Sequence, residues 1–163
     1  VISPLFFKKN INEIKRLCKN LSKKDKNSNN YNKSRKQLAR LYKRIANLRK
    51  DFHYKTAYDI CSKYTIICIE DLNIKAMQKL WGRKINDLGF YNFVKILESV
   101  AKKCGCEVRK ANKFFASSQI CSCCGNVNKQ VKDLRIRTWK CNVCNTIHDR
   151  DRNAANNILN ACI

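Results

Sequence analysis

Four cysteines spaced as two CxxC pairs constrain this 163-residue chain more than any other feature. Cys121 and Cys124 form one pair and Cys141 and Cys144 the other, with sixteen residues between them. That spacing reads as a zinc ribbon. Zn2+ takes four thiolates tetrahedrally at about 2.3 Å, and a CxxC turn offers two sulfurs to one ion. Two redox motifs or structural disulfides are the competing reading, which the doubled spacing disfavours. Cys123, inside the first knuckle, is read as a spare thiol. A closed four-thiolate site leaves no open coordination position, so any chemistry must lie elsewhere in the chain. Between the pairs, Val131 to Trp139 partly alternates apolar and charged residues, as strands of a small ribbon do.

Lys and Arg number 35 against 12 Asp and Glu, a formal net charge of +23. Such an excess goes beyond what solubility needs and points to a polyanion, with nucleic acid the default partner. No apolar run approaches the ~18 residues of a membrane span, and the start carries no signal-peptide pattern. A cytoplasmic, nucleoid-associated protein with no membrane partner is expected. Eleven cysteines, an odd number, in settings as apolar as Ile66-Ile67-Cys68-Ile69 fit a reducing compartment better than a disulfide framework.

Val1 to Phe7, with the one proline, reads as an extended segment, and no initiator Met precedes it, so a longer parent protein is expected. Ile11, Ile14, Leu17, Cys18 and Leu21 recur at three and four, one face of a helix. Lys23 to Asn32 is a solvated loop. Leu38, Leu41, Ile45, Leu48 and Phe52 then repeat the helical pattern, which gives a hairpin over about residues 9–63. Residues 1 to 60 hold seventeen Lys/Arg against four Asp/Glu. Helix charges commonly just solvate an outer face. With so few acidic neighbours, phosphate contact is an equal reading, through Lys33, Arg35, Lys36, Arg40, Lys43, Arg44, Arg49 and Lys50.

Tyr64 to Ile69 is a β-branched run of the kind buried on both faces of a sheet, and it ends in Glu70. An acidic residue at such a strand end is where RNase H-like nucleases hold divalent metal, with two Mg2+ about 4 Å apart clamped by several carboxylates. A turn or cap made by Asp71 or Asn73 explains the same stretch equally well. Met77 to Gly89 reads as irregular and basic, with Trp81 a packing or base-stacking residue. Asn86 or Asp87 is placed to cap a helix carrying Phe90, Phe93, Val94, Leu97, Val100 and Ala101, and Cys106 to Ala111 follows as an edge strand. The last helix is expected to begin at Asp151 and to bury Ala154, Ala155, Ile158 and Leu159. Asp149 and Asp151 suit either capping of that helix or metal binding. Strands bracketed by helices argue for an α/β fold.

Four stretches, in this order, resemble the transposon-encoded TnpB (OrfB) family of insertion-sequence proteins, which is similar to type V CRISPR effectors. They are Ile-Glu-Asp-Leu-Asn at 69–73, Cys-Ser-Cys-Cys-Gly at 121–125, Arg-Thr-Trp-Lys-Cys-Asn-Val-Cys at 137–144 and His-Asp-Arg-Asp-Arg-Asn-Ala-Ala-Asn-Asn-Ile at 148–158. The basic hairpin with Arg49-Lys50-Asp51-Phe52 stands in the matching place.

The resemblance implies an α/β fold, an incomplete RNase H-like (RuvC) domain over residues 1–118 and 150–163 with a zinc ribbon inserted at 119–149. It implies a transposition-associated, RNA-guided DNA endonuclease that uses Mg2+. The implied partners are DNA, a guide RNA and the N-terminal part of the same protein. Glu70 maps onto the family's second catalytic carboxylate and Asp151 onto its third, with Asp149 the lesser candidate. Cys121, Cys124, Cys141 and Cys144 map onto the zinc ligands. The family's first catalytic Asp, in a Gly-Ile-Asp strand ahead of the Pro-containing segment, has no counterpart here. This chain alone is therefore expected to bind nucleic acid and zinc and not to cut. The alternative is a non-catalytic zinc-ribbon DNA- or RNA-binding protein or regulator from a decayed transposon copy.

Overall fold

The structure is a computed structural model describing residues 4–112 and 115–163, with the side chains at 80, 81, 83 and 84 outside the description. The fold is mixed α/β, in two compact units: Val1–Tyr64 with Asn73–Cys106, and Thr65–Leu72 with Glu107–Ile163. Among the described residues no helix is long and apolar enough to cross a membrane.

The first unit is helical: α1 (Phe6–Lys9), α2 (Ile11–Ser22), α3 (Asn29–Cys61), α4 (Ile74–Leu88) and α5 (Phe90–Cys104). Helix α3 starts inside the expected loop because the Ser28 hydroxyl accepts the Tyr31 N–H at 3.0 Å, a cap that lets its polar first turn form. At 33 residues it is about 50 Å long. Ile14, Leu41 and Ile45 form its seam with α2, flanked by Phe6, Phe7, Leu17 and Leu38. Leu48, expected inside, is 40% exposed. The buried positions of α3 pass instead to His53, Ala57 and Cys61, whose spacing of four turns the buried line by about 40° per step, in the half that packs with α5. His53 and Phe93 meet edge to face with ring centres 5.5 Å apart.

Three local expectations need correction. Phe6 and Phe7 are helical instead of extended, because the Asp87 carboxylate accepts the N–H groups of Phe7 (2.9 Å) and Lys8 (3.0 Å); residues 1–3 of that stretch lie outside the described residues. Asp87 thus serves α1, and α5 opens instead on Gly89, in the left-handed region at φ 63°. Met77 to Gly89 is not irregular but belongs to α4, capped by the Asn73 side chain accepting the Ala76 N–H at 3.1 Å; a kink at Gly82 interrupts its periodicity. The Trp81 side chain lies outside the described residues.

In the second unit, β1 (Ile66–Glu70) pairs in parallel with β2 (Glu107–Ala111), from Ile66 opposite Glu107 to Glu70 opposite Ala111. Helix α6 (Arg150–Cys162) packs on both strands. Strand β1 is half-buried at its centre, with Ile66 37% exposed, and not sealed on both faces. Among the described residues its sheet has two strands, less cover than a fully buried parallel sheet receives. The cysteine region carries a 3-10 turn (Lys129–Lys132) and an antiparallel pair, β3 (Thr138–Lys140) with β4 (Ile147–Asp149). Only the end of the Val131 to Trp139 stretch is therefore strand; its start is turned by Asn128, whose side chain accepts the Gln130 N–H.

The buried face of α6 is also not the expected one. Arg150, Asn153 and Asn157 are inside, Ala154 and Ile158 are half-buried, and Ala155 and Leu159 are exposed. A polar face is tolerated here because both asparagines are hydrogen-bonded: Asn153 Oδ1 accepts the Ser122 N–H (2.9 Å) and its Nδ2 donates to the Ile120 carbonyl (2.7 Å). Asn157 Nδ2 donates to the carbonyls of Ser117 (2.7 Å) and Ile120 (2.6 Å).

Candidate functional site

Cys121, Cys124, Cys141 and Cys144 bring four sulfurs within 4.8 Å of one another, a group able to hold a metal ion. Each pair is built by the same turn. The N–H groups of Cys121 and Cys141 donate to the carbonyls of Asn126 (2.8 Å) and Thr146 (2.9 Å); those of Gly125 and Asn145 donate back to Cys121 (2.9 Å) and Cys141 (3.0 Å). The reversal requires a left-handed residue after the second cysteine, supplied by Gly125 (φ 77°) and Asn145 (φ 58°), two types that tolerate it. Val131 and Trp139 close a small core over the buried Cys121 and Cys141.

Polar groups surround the sulfurs. His148 Nε2 lies 3.0 Å from Cys121 Sγ, its ring tilted on Trp139 at 4.8 Å. Thr146 Oγ1 is 3.2 Å from Cys144 Sγ, and Asn126 Nδ2 donates to Cys141 Sγ at 4.0 Å. Sequence reasoning passed over His148 and Thr146 as parts of this site; the signal lay in Thr146 closing the second cysteine turn and in His148 on β4, which pairs with Trp139. The Thr146 side chain and N–H bring the Cys144 thiol down to about 5, and the N–H groups of Cys144 and Val143 lower Cys141. Burial pushes Cys121 up. Cys124 is pushed up to about 12: the Asn126 N–H pulls it down, but burial and the Cys144, Cys141 and Cys121 side chains outweigh that pull. Four sulfurs this close cannot all ionise on their own account. A divalent cation among them removes the conflict, since coordinating thiols deprotonate.

Glu70 closes β1 with its side chain exposed, and its Oε1 accepts the Ser117 Oγ–H at 2.7 Å. Asp149 is the N-cap of α6 and accepts the Arg152 N–H at 2.9 Å. Asp151 lies in the first turn of α6, 80% exposed and 3.6 Å from the 69% exposed Arg137 guanidinium. Among the described residues, the four cysteines are the one group of three or more metal-ligating side chains within such reach; Glu70, Asp149 and Asp151 do not form another.

The basic candidates all lie on α3. Lys33, Arg35, Lys36, Arg40, Lys43, Arg44 and Lys50 are exposed, whereas the Arg49 guanidinium is held by Asp87 at 2.9 Å. Lys36, Lys43 and Lys50, seven apart, stand within about 40° of one another on the face opposite the Leu41–Ile45 seam. Arg40, Lys43 and Arg44 share a shallow surface with Asn47, Leu48 and Asp51.

Residues 1–80 match the OrfB family model, described as "Probable transposase", and residues 90–158 match the model of the Cas12f1-like TNB domain. TnpB-like protein L79 of Acanthamoeba polyphaga mimivirus is 34% identical over 158 residues, which cover 91% of this chain and 28% of that protein. The chain belongs to the TnpB (OrfB) family. A relative in Streptomyces pristinaespiralis, named "Putative RNA-guided DNA endonuclease", is also 34% identical, over 88% of this chain and 36% of its own length. The chain thus spans about a third of the length of the curated relatives it matches. Among solved structures, Cas12f1 in complex with sgRNA and target DNA resembles 78% of this chain, and 38% of its own, at a TM-score of 0.60 and 25% identity.

Proposed function

We propose that this TnpB-family chain forms part of an RNA-guided DNA endonuclease, a RuvC-like domain in which Glu70 and Asp151 are metal-binding carboxylates. The observation that carries this reading is the placing of Glu70 at the exposed end of β1, in the unit where α6 packs on that strand and presents Asp151 in its first turn. Two exposed carboxylates are hard oxygen donors and fit Mg2+, which when bound supplies activation of water and charge neutralisation for phosphodiester hydrolysis. Asp149 is the lesser candidate because its side chain caps α6. The four cysteines suit Zn2+ as a closed structural centre. The exposed lysines and arginines of α3 grip phosphates, while guide pairing supplies sequence specificity. The partners are then target DNA, a guide RNA and the remaining segments of the protein, working at the nucleoid in a prokaryotic host.

The test is Mg2+-dependent cutting of target DNA by the intact protein loaded with guide RNA. Glu70→Gln and Asp151→Asn each abolish cutting without loss of fold; cutting that survives both overturns the reading. The second reading, a non-catalytic nucleic-acid-binding protein, is favoured by the structural partners that both carboxylates already have, Ser117 for Glu70 and Arg137 for Asp151. In that case Asp151→Asn lowers stability and leaves divalent-ion affinity unchanged.

A further inference from the structure

We infer that Ser117 and Asn157, with Asn153, are positioning residues for Glu70, and that the first CxxC knuckle seats this strand-end carboxylate. The inference rests on the reading of Glu70 as a divalent-metal ligand. Ser117 is 5% exposed and donates its hydroxyl to Glu70 Oε1 at 2.7 Å, across 47 residues of sequence. The hydrogen bond to Oε1 restrains the rotation of the carboxylate and leaves Oε2 unengaged by Ser117 and open to a cation. A carboxylate held this way binds without first losing rotational freedom.

Ser117 is itself held from α6. Asn157, 5% exposed, donates to the Ser117 carbonyl at 2.7 Å and to the Ile120 carbonyl at 2.6 Å. Asn153, 1% exposed, donates to the same Ile120 carbonyl at 2.7 Å and accepts the Ser122 N–H at 2.9 Å. The amide supplies both a donor and an acceptor at Asn153 and the donor at Asn157, so an apolar residue at either position leaves backbone groups unpaired. Ser122 lies between Cys121 and Cys124. The same two asparagines therefore tie the knuckle, Ser117 and the end of β1 into one hydrogen-bonded row, and order at the cysteines is passed to Glu70.

The test uses the 163-residue chain loaded with zinc, Mn2+ as the probe, and paramagnetic broadening of the backbone amides around Glu70 as the readout. In the parent chain broadening is strongest at the end of β1, and Glu70→Gln shifts its Mn2+ midpoint upward. Ser117→Ala raises the midpoint about ten-fold, the scale of a lost supporting partner, with zinc content and amide dispersion unchanged. Ser117→Thr, which restores the hydroxyl, recovers most of it. Asn157→Asp, which cannot donate to either carbonyl, moves the midpoint in the same direction. A purely structural Ser117 leaves the midpoint where it was. The positioning inference is overturned if Glu70→Gln shifts the midpoint and Ser117→Ala does not. If Glu70→Gln shifts nothing, the metal-ligand reading of Glu70 fails, and the positioning inference falls with it.

Discussion

Arg49 Nη2 lies 2.9 Å from Asp87 Oδ1, in an ion pair whose side chains are 21% and 4% exposed and which joins α3 to the last turn of α4. Asp87 also receives the N–H groups of Phe7 and Lys8, so one carboxylate ties three helices of the first unit together. Removing one partner of a buried pair costs about 3–5 kcal/mol. Asp87→Ala is expected to lower the melting temperature by roughly 6–20 °C at about 2–4 °C per kcal/mol, and a calorimetric scan checks it. Arg49→Gln acts through the same stability loss and leaves the salt dependence of nucleic-acid binding unchanged.

Gly89 is the hinge between α4 and α5 and sits at φ +63°. A Cβ there would stand 3.0 Å from Arg49 Cδ and 3.2 Å from His53 Cε1, in addition to the left-handed strain. Gly89→Ala is expected to cost at least about 1–2 kcal/mol, read from a lower urea midpoint at an unchanged slope.

The buried His53 gives the first unit a pH dependence. Its ring is 4% exposed, Nε2 lies 3.1 Å from the Leu88 carbonyl, and buried Nδ1 has no hydrogen-bond partner. Burial, opposed by the Leu88 bond and aided by nearby Arg49, holds it below its ordinary 6.5. The unfolded chain therefore binds a proton that the folded chain refuses, and stability rises with pH through that window. The contribution is complete above about 6.5 and is lost as the pH falls toward the folded value. Thermal melts between pH 7.5 and 5 are expected to show this decline, and His53→Gln to flatten it.

The α3 stripe predicts a salt effect. Each phosphate neutralised on duplex DNA contributes about −0.9 to the slope of log K against log salt. Replacing Lys36, Lys43 and Lys50 together by Gln is expected to flatten that slope by about 2–3 units, uniformly across sequences. An unchanged slope in a filter-binding titration would mean these lysines only solvate the helix.

Metal removal is expected to be local. On the proposed zinc reading, the ion contributes on the order of the 10–16 kcal/mol that structural zinc gives zinc-finger peptides. Chelation, or Cys141→Ser, is expected to collapse the amide dispersion of Ile120 to Asp149 while the helical signal of α2, α3 and α5 persists. Heteronuclear spectra with and without chelator decide it.

The parts legible in the sequence were those whose cause is local. The doubled CxxC spacing located all four sulfurs, and the spacing of Ile14, Leu41 and Ile45 located the α2–α3 seam. Strand β1 was legible from its β-branched run. What stayed hidden depends on partners distant in the chain. Asp87 resembles a cap for the next helix, but its two N–H donors are 80 and 79 residues away. Asn153 and Asn157 read as the wet face of α6 because their partners, Ser117, Ile120 and Ser122, lie more than thirty residues earlier. Helix α4 was obscured by Gly82, whose kink breaks the periodicity a single helix would show.

The repeated cysteine turn has a further consequence. Each half, Cys121 to Asn126 and Cys141 to Thr146, is closed by its own short-range backbone bonds, so the ion meets two preassembled bidentate chelates in place of four independent ligands. What remains is to close one connecting loop, whose entropic cost rises by only about 0.6 kcal/mol for each doubling of its length. Insertions at the tip between the two turns are therefore cheap, and a single residue added inside either turn is not.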